Sequence, residues 1–254
     1  MKIVTYNVNG IRAALKKDWL GWLKIVDPDI VCLQEIKATV DQVPEILYLE
    51  QMGYEHYWYP AQKKGYSGTA IFTKITPNHI EYGCGHEDYD FEGRMIRADF
   101  DDISVVSTHF PSGTTGGVRQ EFKYRFLDDF KSYTDKLIVE KPKLVISGDF
   151  NICHRAIDIH NPKSNANTSG FLPAEREWME NFIQSGFIDT FRHVNPDPHQ
   201  YTWWSYRAGA RARNLGWRID YNMVSPALSQ HIFHAEILSK AVHSDHCPVV
   251  LEVR

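Results

Sequence analysis

A carboxylate and an amide stand two residues apart directly after a short apolar strand predicted at Leu144–Ile146. They are Asp149 and Asn151, in the segment Ser147-Gly148-Asp149-Phe150-Asn151. In an extended segment, residues i and i+2 point the same way, so both side chains are expected to face one point. An acceptor beside an amide suits holding a water and a charged oxygen together. A strand that simply ends in an Asx turn would carry the same residues, and this segment alone leaves both interpretations open.

Polar side chains recur at the ends of other predicted strands. They are Asn7, Glu35, His109 and Asp220, with Asp245 and His246 directly before the last strand. Each alone is more often a turn or cap residue, but so many coincidences favour one shared site at the rim of packed sheets. Carboxylate and amide oxygens without thiolates favour a hard cation, Mg²⁺ or Mn²⁺, over zinc. A hard cation beside an Asp/His pair is a combination suited to the hydrolysis of phosphate esters.

The elements that would position these residues mix strands and helices. Hydrophobic periodicity predicts strands at 2–6, 30–33, 55–59, 69–73, 94–100, 103–107, 144–146, 218–224, 232–238 and 248–253. It predicts helices over 11–26, 42–51 and 118–137, and another from Pro173. The stretch from His154 to Pro173 has no periodicity, which suits a functional loop. Because several successive strands are joined only by tight turns, we predict a mixed α/β sandwich rather than a βαβ barrel.

Composition narrows the class of protein. The 254 residues, 43% of them hydrophobic, suit one domain over 1–254. No apolar run approaches the roughly 18 residues of a membrane span, and the first strand begins at Lys2, so we expect a cytoplasmic protein without a membrane partner. The four cysteines lie far apart and are expected to be reduced. A net charge of −4 argues against a general polyanion binder, so any nucleic-acid contact must be a local basic face.

Such a face is predicted between Tyr201 and Tyr221. The aromatic residues Trp203, Trp204, Tyr206 and Trp217 interleave there with Arg207, Arg211, Arg213 and Arg218. Aromatic faces with guanidinium groups can grip a nucleic-acid backbone and receive an unstacked sugar. Tryptophans in the core and arginines on a solvated face would give the same pattern, and that alternative stays open.

Nine motifs together resemble, in order, those of the exonuclease III family of abasic-site endonucleases. They are Asn7-Val8-Asn9-Gly10-Ile11-Arg12-Ala13, Leu33-Gln34-Glu35-x-Lys37, Gly65-Tyr66-Ser67-Gly68, Glu92-Gly93-Arg94, Gly148-Asp149-Phe150-Asn151, Ile157-Asp158-x-x-Asn161-Pro162-Lys163, Gly170-Phe171-x-Pro173-x-Glu175-Arg176, Gly216-Trp217-Arg218-Ile219-Asp220-Tyr221 and Ser244-Asp245-His246-Cys247-Pro248. The resemblance implies a four-layered α/β sandwich, with two mixed β-sheets packed face to face and helices outside. It also implies a monomer that uses Mg²⁺ to cleave double-stranded DNA 5′ to abasic sites, leaving a 3′-hydroxyl, and that trims 3′-blocked ends or acts as a 3′–5′ exonuclease.

The resemblance also implies residue roles. Glu35 would be the principal metal ligand, within a set that also holds Asn7, Asp149, Asn151, Asp245 and His246. Asp149 would align and deprotonate the attacking water, and Asn151 would stabilise charge on the phosphoryl oxygens. His246, oriented by Asp220, would contact the scissile phosphate, as a clamp if protonated and as a base if neutral.

The resemblance places the substrate beside the tryptophans. Trp203, Trp217 and Ile219 would line a pocket for a flipped abasic residue that is too tight for an intact base, with Arg207 and Arg211 on the DNA. Flipping costs least where no base pairs or stacks, which would help selectivity.

The chain departs from the family at His109-Phe110-Pro111, where tyrosine, an apolar residue and proline are usual; Ser112 likewise replaces a common amide. Histidine at this point resembles the wider superfamily, which includes deoxyribonuclease I, sphingomyelinases and RNA deadenylases. We expect His109 to contact the phosphate and to change charge near pH 6.5. A phosphodiesterase for RNA or a phospholipid, or a non-catalytic binding module, therefore remains an alternative.

Overall fold

Fourteen β-strands form two six-stranded sheets and one two-stranded hairpin in the computed structural model, which describes residues 1–254. The strands are β1 (Lys2–Asn7), β2 (Ile30–Gln34), β3 (Glu55–Tyr59), β4 (Thr69–Thr73), β5 (His79–Tyr82), β6 (Met95–Asp99), β7 (Ser104–His109), β8 (Leu144–Asp149), β9 (Ile188–Asp189), β10 (Trp203–Trp204), β11 (Gly216–Trp217), β12 (Asp220–Val224), β13 (Ile232–Ile237) and β14 (Val249–Val253). The α-helices are α1 (Ile11–Leu15), α2 (Trp19–Val26), α3 (Ile46–Gln51), α4 (Glu87–Asp90), α5 (Gly117–Glu140), α6 (Pro173–Gln184) and α7 (Thr190–Val194). Short 3₁₀ turns cover Val40–Gln42, Ala156–Asp158, Arg207–Gly209 and Pro226–His231.

Both six-stranded sheets are mixed. The first has the order β13-β14-β1-β2-β4-β3 and the second β5-β6-β7-β8-β12-β9. Within the first sheet β1 and β2 run parallel, and within the second β7 and β8 run parallel, while every other neighbouring pair is antiparallel. This confirms the predicted mixed α/β sandwich.

Three apolar clusters divide the sandwich into four layers. The two sheets pack face to face through a buried cluster that includes Ile3, Cys32, Ile71, Val105 and Val145. Residues of α1, α2 and α3 cover the outer face of the first sheet, and residues of α5 and α6 cover that of the second. Central strands buried on both faces explain why their sequences read as continuous apolar runs.

The sheet topology brings the polar strand ends to one rim. The parallel strands β1 and β2 end together at Asn7 and Gln34, and β7 and β8 end together at His109 and Asp149. Because β12 runs antiparallel to β8, its first residue, Asp220, lies opposite Asp149. Since β14 is antiparallel to β1, the residues that precede it reach the same rim.

One helix was wrongly predicted to be continuous. The segment 11–26 forms two helices, because Asp18 between them has a left-handed backbone with φ of 63°. Both helices bury residues in the same cluster, so the hydrophobic periodicity runs through the break. The helix predicted at 42–51 begins only at Ile46, and the short elements β5, α4, β9, α7, β10 and β11 were missed.

Two further predictions concern the cysteines and membrane-spanning helices. No disulfide forms, and the four cysteines are free, as their spacing predicted. None of the helices combines the length and the apolar character that crossing a membrane would require.

Candidate active site

A tight turn presents Asp149 and Asn151 at the rim. Asp149 is the last residue of β8, and Asn151 has a left-handed φ of 51°. The backbone N–H of Asn151 donates to Oδ1 of Asp149 over 2.8 Å, which is an Asx turn. Both residues line the central cleft, but the turn, not strand alternation as predicted, brings them together. The Asx-turn and functional interpretations thus describe the same feature.

Asn7 joins the carboxylates of the two sheets. Its Nδ2 donates to Oε1 of Glu35 and to Oδ2 of Asp149, both over 2.9 Å. Its oxygen accepts from the backbone N–H of Asn9 over 3.0 Å, so the amide nitrogen rather than the oxygen faces the carboxylates. Direct ligation of a metal by Asn7 would therefore require its amide to rotate.

Glu35 is partly exposed in the cleft, with 23% of its side chain accessible. Nζ of Lys37 lies 2.8 Å from its Oε2. Burial raises the pKa of Glu35, but the electrostatic interaction with His109 and then the charge of Lys37 outweigh burial and lower that pKa to about 2. Glu35 is therefore ionised at neutral pH.

His246 and Asp220 form a buried pair across the rim. Nδ1 of His246 lies 2.9 Å from Oδ2 of Asp220, and its Nε2 is 3.9 Å from Oδ2 of Asp149. Burial disfavours the charged imidazole, but Asp220 and then Asp149 outweigh burial and raise the pKa of His246 to about 10. Burial, followed by the charge of Asp220, raises the pKa of Asp149 above its usual range. His246 is thus protonated at neutral pH.

His109 is also buried at the rim, with 7% of its surface exposed. Its Nδ1 is 3.1 Å from Oγ of Ser67, and its Nε2 lies 3.8 Å from both Oε1 of Glu35 and Oδ2 of Asp149. Burial and then the charge of Arg94 lower the pKa of His109 to about 3. The expected charge change near pH 6.5 is therefore wrong, because tertiary packing sets a guanidinium beside this ring.

Asp245 organises the outer edge of the cleft. It accepts hydrogen bonds from Nε1 of Trp203 over 3.0 Å, from Nδ2 of Asn9 over 2.9 Å and from Oγ of Ser244 over 3.1 Å. It lies outside the two tight clusters of possible metal ligands. These contacts connect the acidic rim to the first tryptophan of the adjoining pocket.

The donor set of the rim fits a hard divalent cation. Ligand atoms of Glu35, His109 and Asp149 lie within 4.8 Å of one another, as do those of Asp149, Asp220 and His246. Four carboxylates gather at this rim, those of Glu35, Asp149, Asp220 and Asp245, and the cations that pair with them are Lys37, beside Glu35, and protonated His246, beside Asp220. No thiol lines the cleft, and oxygen-rich sites with excess negative charge favour Mg²⁺ or Mn²⁺.

An aromatic pocket opens from the same cleft, whose volume is about 650 Å³. The hairpin of β10 and β11 pairs Trp203 with Trp217, and their rings meet edge to face at 6.0 Å. Ile219 and Gly170 complete the lining. The predicted pocket residues Trp203, Trp217 and Ile219 thus lie together beside the acidic rim, whereas Trp204 is a core residue with 4% exposure.

The predicted arginines do not line this pocket. Nη1 of Arg211 donates to the carbonyl of Ser244 over 2.9 Å, and its Nη2 donates to the carbonyls of Ser239 and Ala241. Its guanidinium also stacks over Trp204, 4.6 Å from the ring centre. Arg211 therefore holds the loop before Asp245 instead of facing a ligand.

Arg207 is exposed on a 3₁₀ turn and lies outside the residues that line the cleft. The cationic residues that do line it, besides His246, are Lys63, Arg94 and Arg119. Tyr66 and Arg94 lie in two of the nine family-like motifs, but the sequence alone assigned them no role. Their place in these motifs was the sequence feature that could have pointed to the cleft.

Arg218, counted above among the basic-face residues, is fully buried behind the pocket. Its Nε donates to Oδ1 of Asp158 over 2.8 Å, and its Nη2 donates to Oδ2 of Asp189 over 2.6 Å. Arg192 donates to the same oxygen of Asp158 over 2.9 Å. Burial raises the pKa of Asp158, but Arg218 and Arg192 outweigh it and lower that pKa to about 2.

We expect Asp158→Asn to lower the free energy of unfolding by roughly 3–5 kcal/mol at neutral pH, because the buried Arg218 and its neighbour Arg192 lose a shared anion and only Asp189 still pairs with Arg218. The folded-state pKa of Asp158 lies below its unfolded value of about 3.9, so the ionised carboxylate stabilises the protein above about pH 4. That stabilisation disappears as the pH falls through about 2, and the difference from wild type should narrow there. Urea unfolding between pH 7 and about pH 2 measures how this difference in the free energy of unfolding narrows.

The exposed pair of Lys131 and Asp135 on α5 supplies the control. Asp135→Asn should change the free energy of unfolding by no more than about 0.5 kcal/mol at neutral pH. Equal losses in the two variants would contradict the buried-pair explanation.

Comparison with known proteins gives consistent matches along the whole chain. The model of the Endonuclease/Exonuclease/phosphatase family matches residues 4–246. An exodeoxyribonuclease of Bacillus subtilis is 46% identical over 253 residues, covering 99% of this chain and 98% of that protein. The DNA repair nuclease APEX1 of Danio rerio is 40% identical, covering 99% of this chain and 81% of its own. The structure of an AP endonuclease from Archaeoglobus fulgidus superimposes with a TM-score of 0.91 at 32% identity, covering 100% and 99% of the two chains.

Proposed function

Because this chain belongs to the Endonuclease/Exonuclease/phosphatase family, we propose that it is a Mg²⁺-dependent phosphodiesterase that cleaves double-stranded DNA 5′ to abasic sites. It is a hydrolase of the exodeoxyribonuclease and AP endonuclease type and a nuclease of DNA repair. One observation carries the specific proposal: the acidic and histidine rim opens directly into a pocket walled by Trp203 and Trp217. A phosphodiester held at that rim would place the next sugar in the pocket.

The metal would be held mainly by Glu35 at the rim, with Asp149 within reach. Of the other predicted ligands, Asp245 lies outside this cluster, Asn7 would have to turn its amide, and His246 is protonated and offers no free nitrogen. When bound, Mg²⁺ supplies Lewis-acid stabilisation of charge on the phosphoryl oxygens. The ionised state of Glu35 suits this role.

Proton transfer in this proposal belongs to Asp149. Its carboxylate is buried and oriented by donors from Asn7 and Asn151, so it can align a water and accept its proton. A carboxylate with a raised pKa is a better general base near neutral pH than an ordinary one. His246 is already protonated there, which favours the clamp interpretation over the base.

Charge on the phosphate would meet two donors of the chain. The imidazolium of His246, held by Asp220, would bind one oxygen through Nε2. The amide of Asn151 would bind another after leaving its present acceptor, the carbonyl of Phe110. A donor fixed before the reaction, as His246 is by Asp220, stabilises the transition state without reorganisation, which is usually the largest catalytic effect.

The pocket would select the abasic residue by size. The edge-to-face contact between Trp203 and Trp217 and the close approach of Gly170 leave a narrow aromatic slot. A flipped sugar without a base would fit it at low unstacking cost. The 3′-hydroxyl product would suit later synthesis, and 3′–5′ exonuclease activity or trimming of 3′-blocked ends would use the same rim.

The test uses purified protein with three duplexes, which carry a tetrahydrofuran abasic analogue, a nick, or neither. We expect incision 5′ to the analogue in Mg²⁺ and its loss in EDTA. Equal cleavage of all three duplexes, or preference for RNA or a phospholipid over the abasic duplex, would contradict abasic-site specificity. His109 motivates including those other substrates.

Replacing Glu35 by Ala should raise the Mg²⁺ concentration needed for half-maximal cleavage and leave the fold intact. The residue follows a buried strand but is itself partly exposed, so no core contact is lost. Activity against Mg²⁺ concentration and calorimetric binding of Mn²⁺ both measure the change. Glu140→Ala, at an exposed position at the end of α5, is the control. An unchanged titration would reject Glu35 as a ligand.

A further inference from the structure

An ion pair with no exposed side-chain surface lies behind the cleft. Nζ of Lys123, on α5, is 2.6 Å from Oε1 of Glu175, in the first turn of α6. Both side chains are 0% exposed, and neither residue lines the cleft. Gln120 donates to the same oxygen of Glu175 over 3.0 Å. The role of this charged pair is not explained by contact with substrate.

Lys123 reaches the catalytic turn. Its Nζ donates to the backbone carbonyl of Asn151 over 2.8 Å. Two other polar groups of Asn151 are also held, since its N–H donates to Oδ1 of Asp149 and its Nδ2 donates to the carbonyl of Phe110. The ammonium therefore fixes the one backbone group of this left-handed residue that the strand and the Asx turn do not hold.

Glu175 reaches the wall of the pocket. Its Oε2 accepts from the backbone N–H groups of Gly170, over 2.6 Å, and of Leu172, over 3.0 Å. Gly170 packs so closely that an added Cβ would lie 2.9 Å from the ring of Trp217 and 3.1 Å from the carbonyl of Asn151. Moving Gly170 would therefore move the pocket wall against both residues.

Stability alone does not account for a charged pair here. Replacing a buried ion pair by packed apolar residues is often neutral or stabilising, because desolvation offsets the attraction between the charges. The helices α5 and α6 already contribute aromatic residues to one apolar cluster. What the charges add is strong, directional hydrogen bonds to one carbonyl and two N–H groups of irregular backbone.

We propose that Lys123 and Glu175 are positioning residues for phosphodiester hydrolysis, which hold Asn151 and Gly170 in a fixed relation. They set where the Asn151 amide meets the phosphate relative to the wall that receives the neighbouring sugar. This inference rests on the proposed function of the cleft. Misplacement of a catalytic group by about 1 Å can cost up to about 10²-fold in rate, which sets the scale of the expected effect.

The main test is the double variant Lys123→Met/Glu175→Gln, which removes both charges and nearly keeps their volumes. We expect kcat on an abasic duplex to fall by about 10- to 100-fold, with KM within about threefold of wild type. The matched control on α5 is Lys131→Met/Asp135→Asn, which removes an exposed pair and should change neither constant. Glu175→Gln alone serves as a second, milder variant should the double variant fold poorly.

Combining the double variant with Asn151→Ala distinguishes a positioning role from a general loss of rigidity in the protein. In an Asn151→Ala background there is no amide to position, so the double change should lower kcat by less than about threefold more. If the two effects instead multiply in full, Lys123 and Glu175 do not act through Asn151, and the proposal is overturned.

Two readouts keep this proposal separate from abasic-site specificity. Hydrolysis of a chromogenic nitrophenyl phosphodiester reports on the rim without any DNA pocket. The side-chain amide resonance of Asn151, assigned with Asn151→Ala, reports on its position without any activity. We expect the double variant, and not the control, to shift or broaden that resonance. An unshifted resonance together with an unchanged kcat would reject the proposal whatever the substrate proves to be.

Discussion

Replacing Asp149 by Asn should slow cleavage of an abasic duplex by about 10²–10⁴-fold while duplex binding survives. The substitution keeps the shape of a fully buried side chain and removes the charge that could take a proton from water. The Asx turn needs one oxygen at this position, and asparagine still provides it. The loss should therefore appear in kcat rather than in stability or affinity.

Single-turnover cleavage of the duplex measures the loss in rate, and equilibrium binding of the same duplex measures the affinity. Asp128→Asn, on the exposed side of α5, makes the same chemical change away from the cleft and should leave both measurements unchanged. If Asp149→Asn weakened binding while bound DNA turned over at the wild-type rate, Asp149 would position the substrate and another group would be the base.

The strands could be predicted because the residues along each strand share one environment. The bounds predicted for β3 and β4 agree with the structure, and β2 differs by one residue, since apolar runs flanked by turns allow few alternatives. The break at Asp18 was not predictable, because the residue adopts a left-handed backbone without the glycine that usually announces one. Very short elements such as β9 depend on pairing with β12 rather than on local pattern.

The sequence could predict which residues meet at the candidate site, but not which residues surround them. Strand ends such as Asn7, His109 and Asp149 converge because sheet topology requires it. Charge states depend on tertiary burial and on partners distant in sequence, and the pKa of His109 falls because the ring is buried and because Arg94 lies beside it. Arginine spacing likewise suggested a basic face, whereas Arg211 is engaged by carbonyls of its own chain.

The substitutions at His109 should separate its contact from its charge. We expect His109→Ala to lose about 10²-fold in rate, the scale of one missing transition-state donor, because neutral Nε2 lies near both Glu35 and Asp149. His109→Tyr should stay active, since tyrosine also donates a hydrogen bond and is usual in the exonuclease III family at this point.

The pH dependence carries the sharper test. Burial and Arg94 lower the pKa of His109 to about 3, and a divalent cation beside Glu35 would act in the same direction. The ring is thus neutral throughout the range in which the enzyme works, so exchanging it for tyrosine removes no titrating group. Between pH 5.5 and 9, the acid limb of the rate profile should coincide for wild type and His109→Tyr. A flatter limb in the variant would show that His109 titrates in the cleft, and an alanine variant as fast as wild type would make it only a residue at the end of β7.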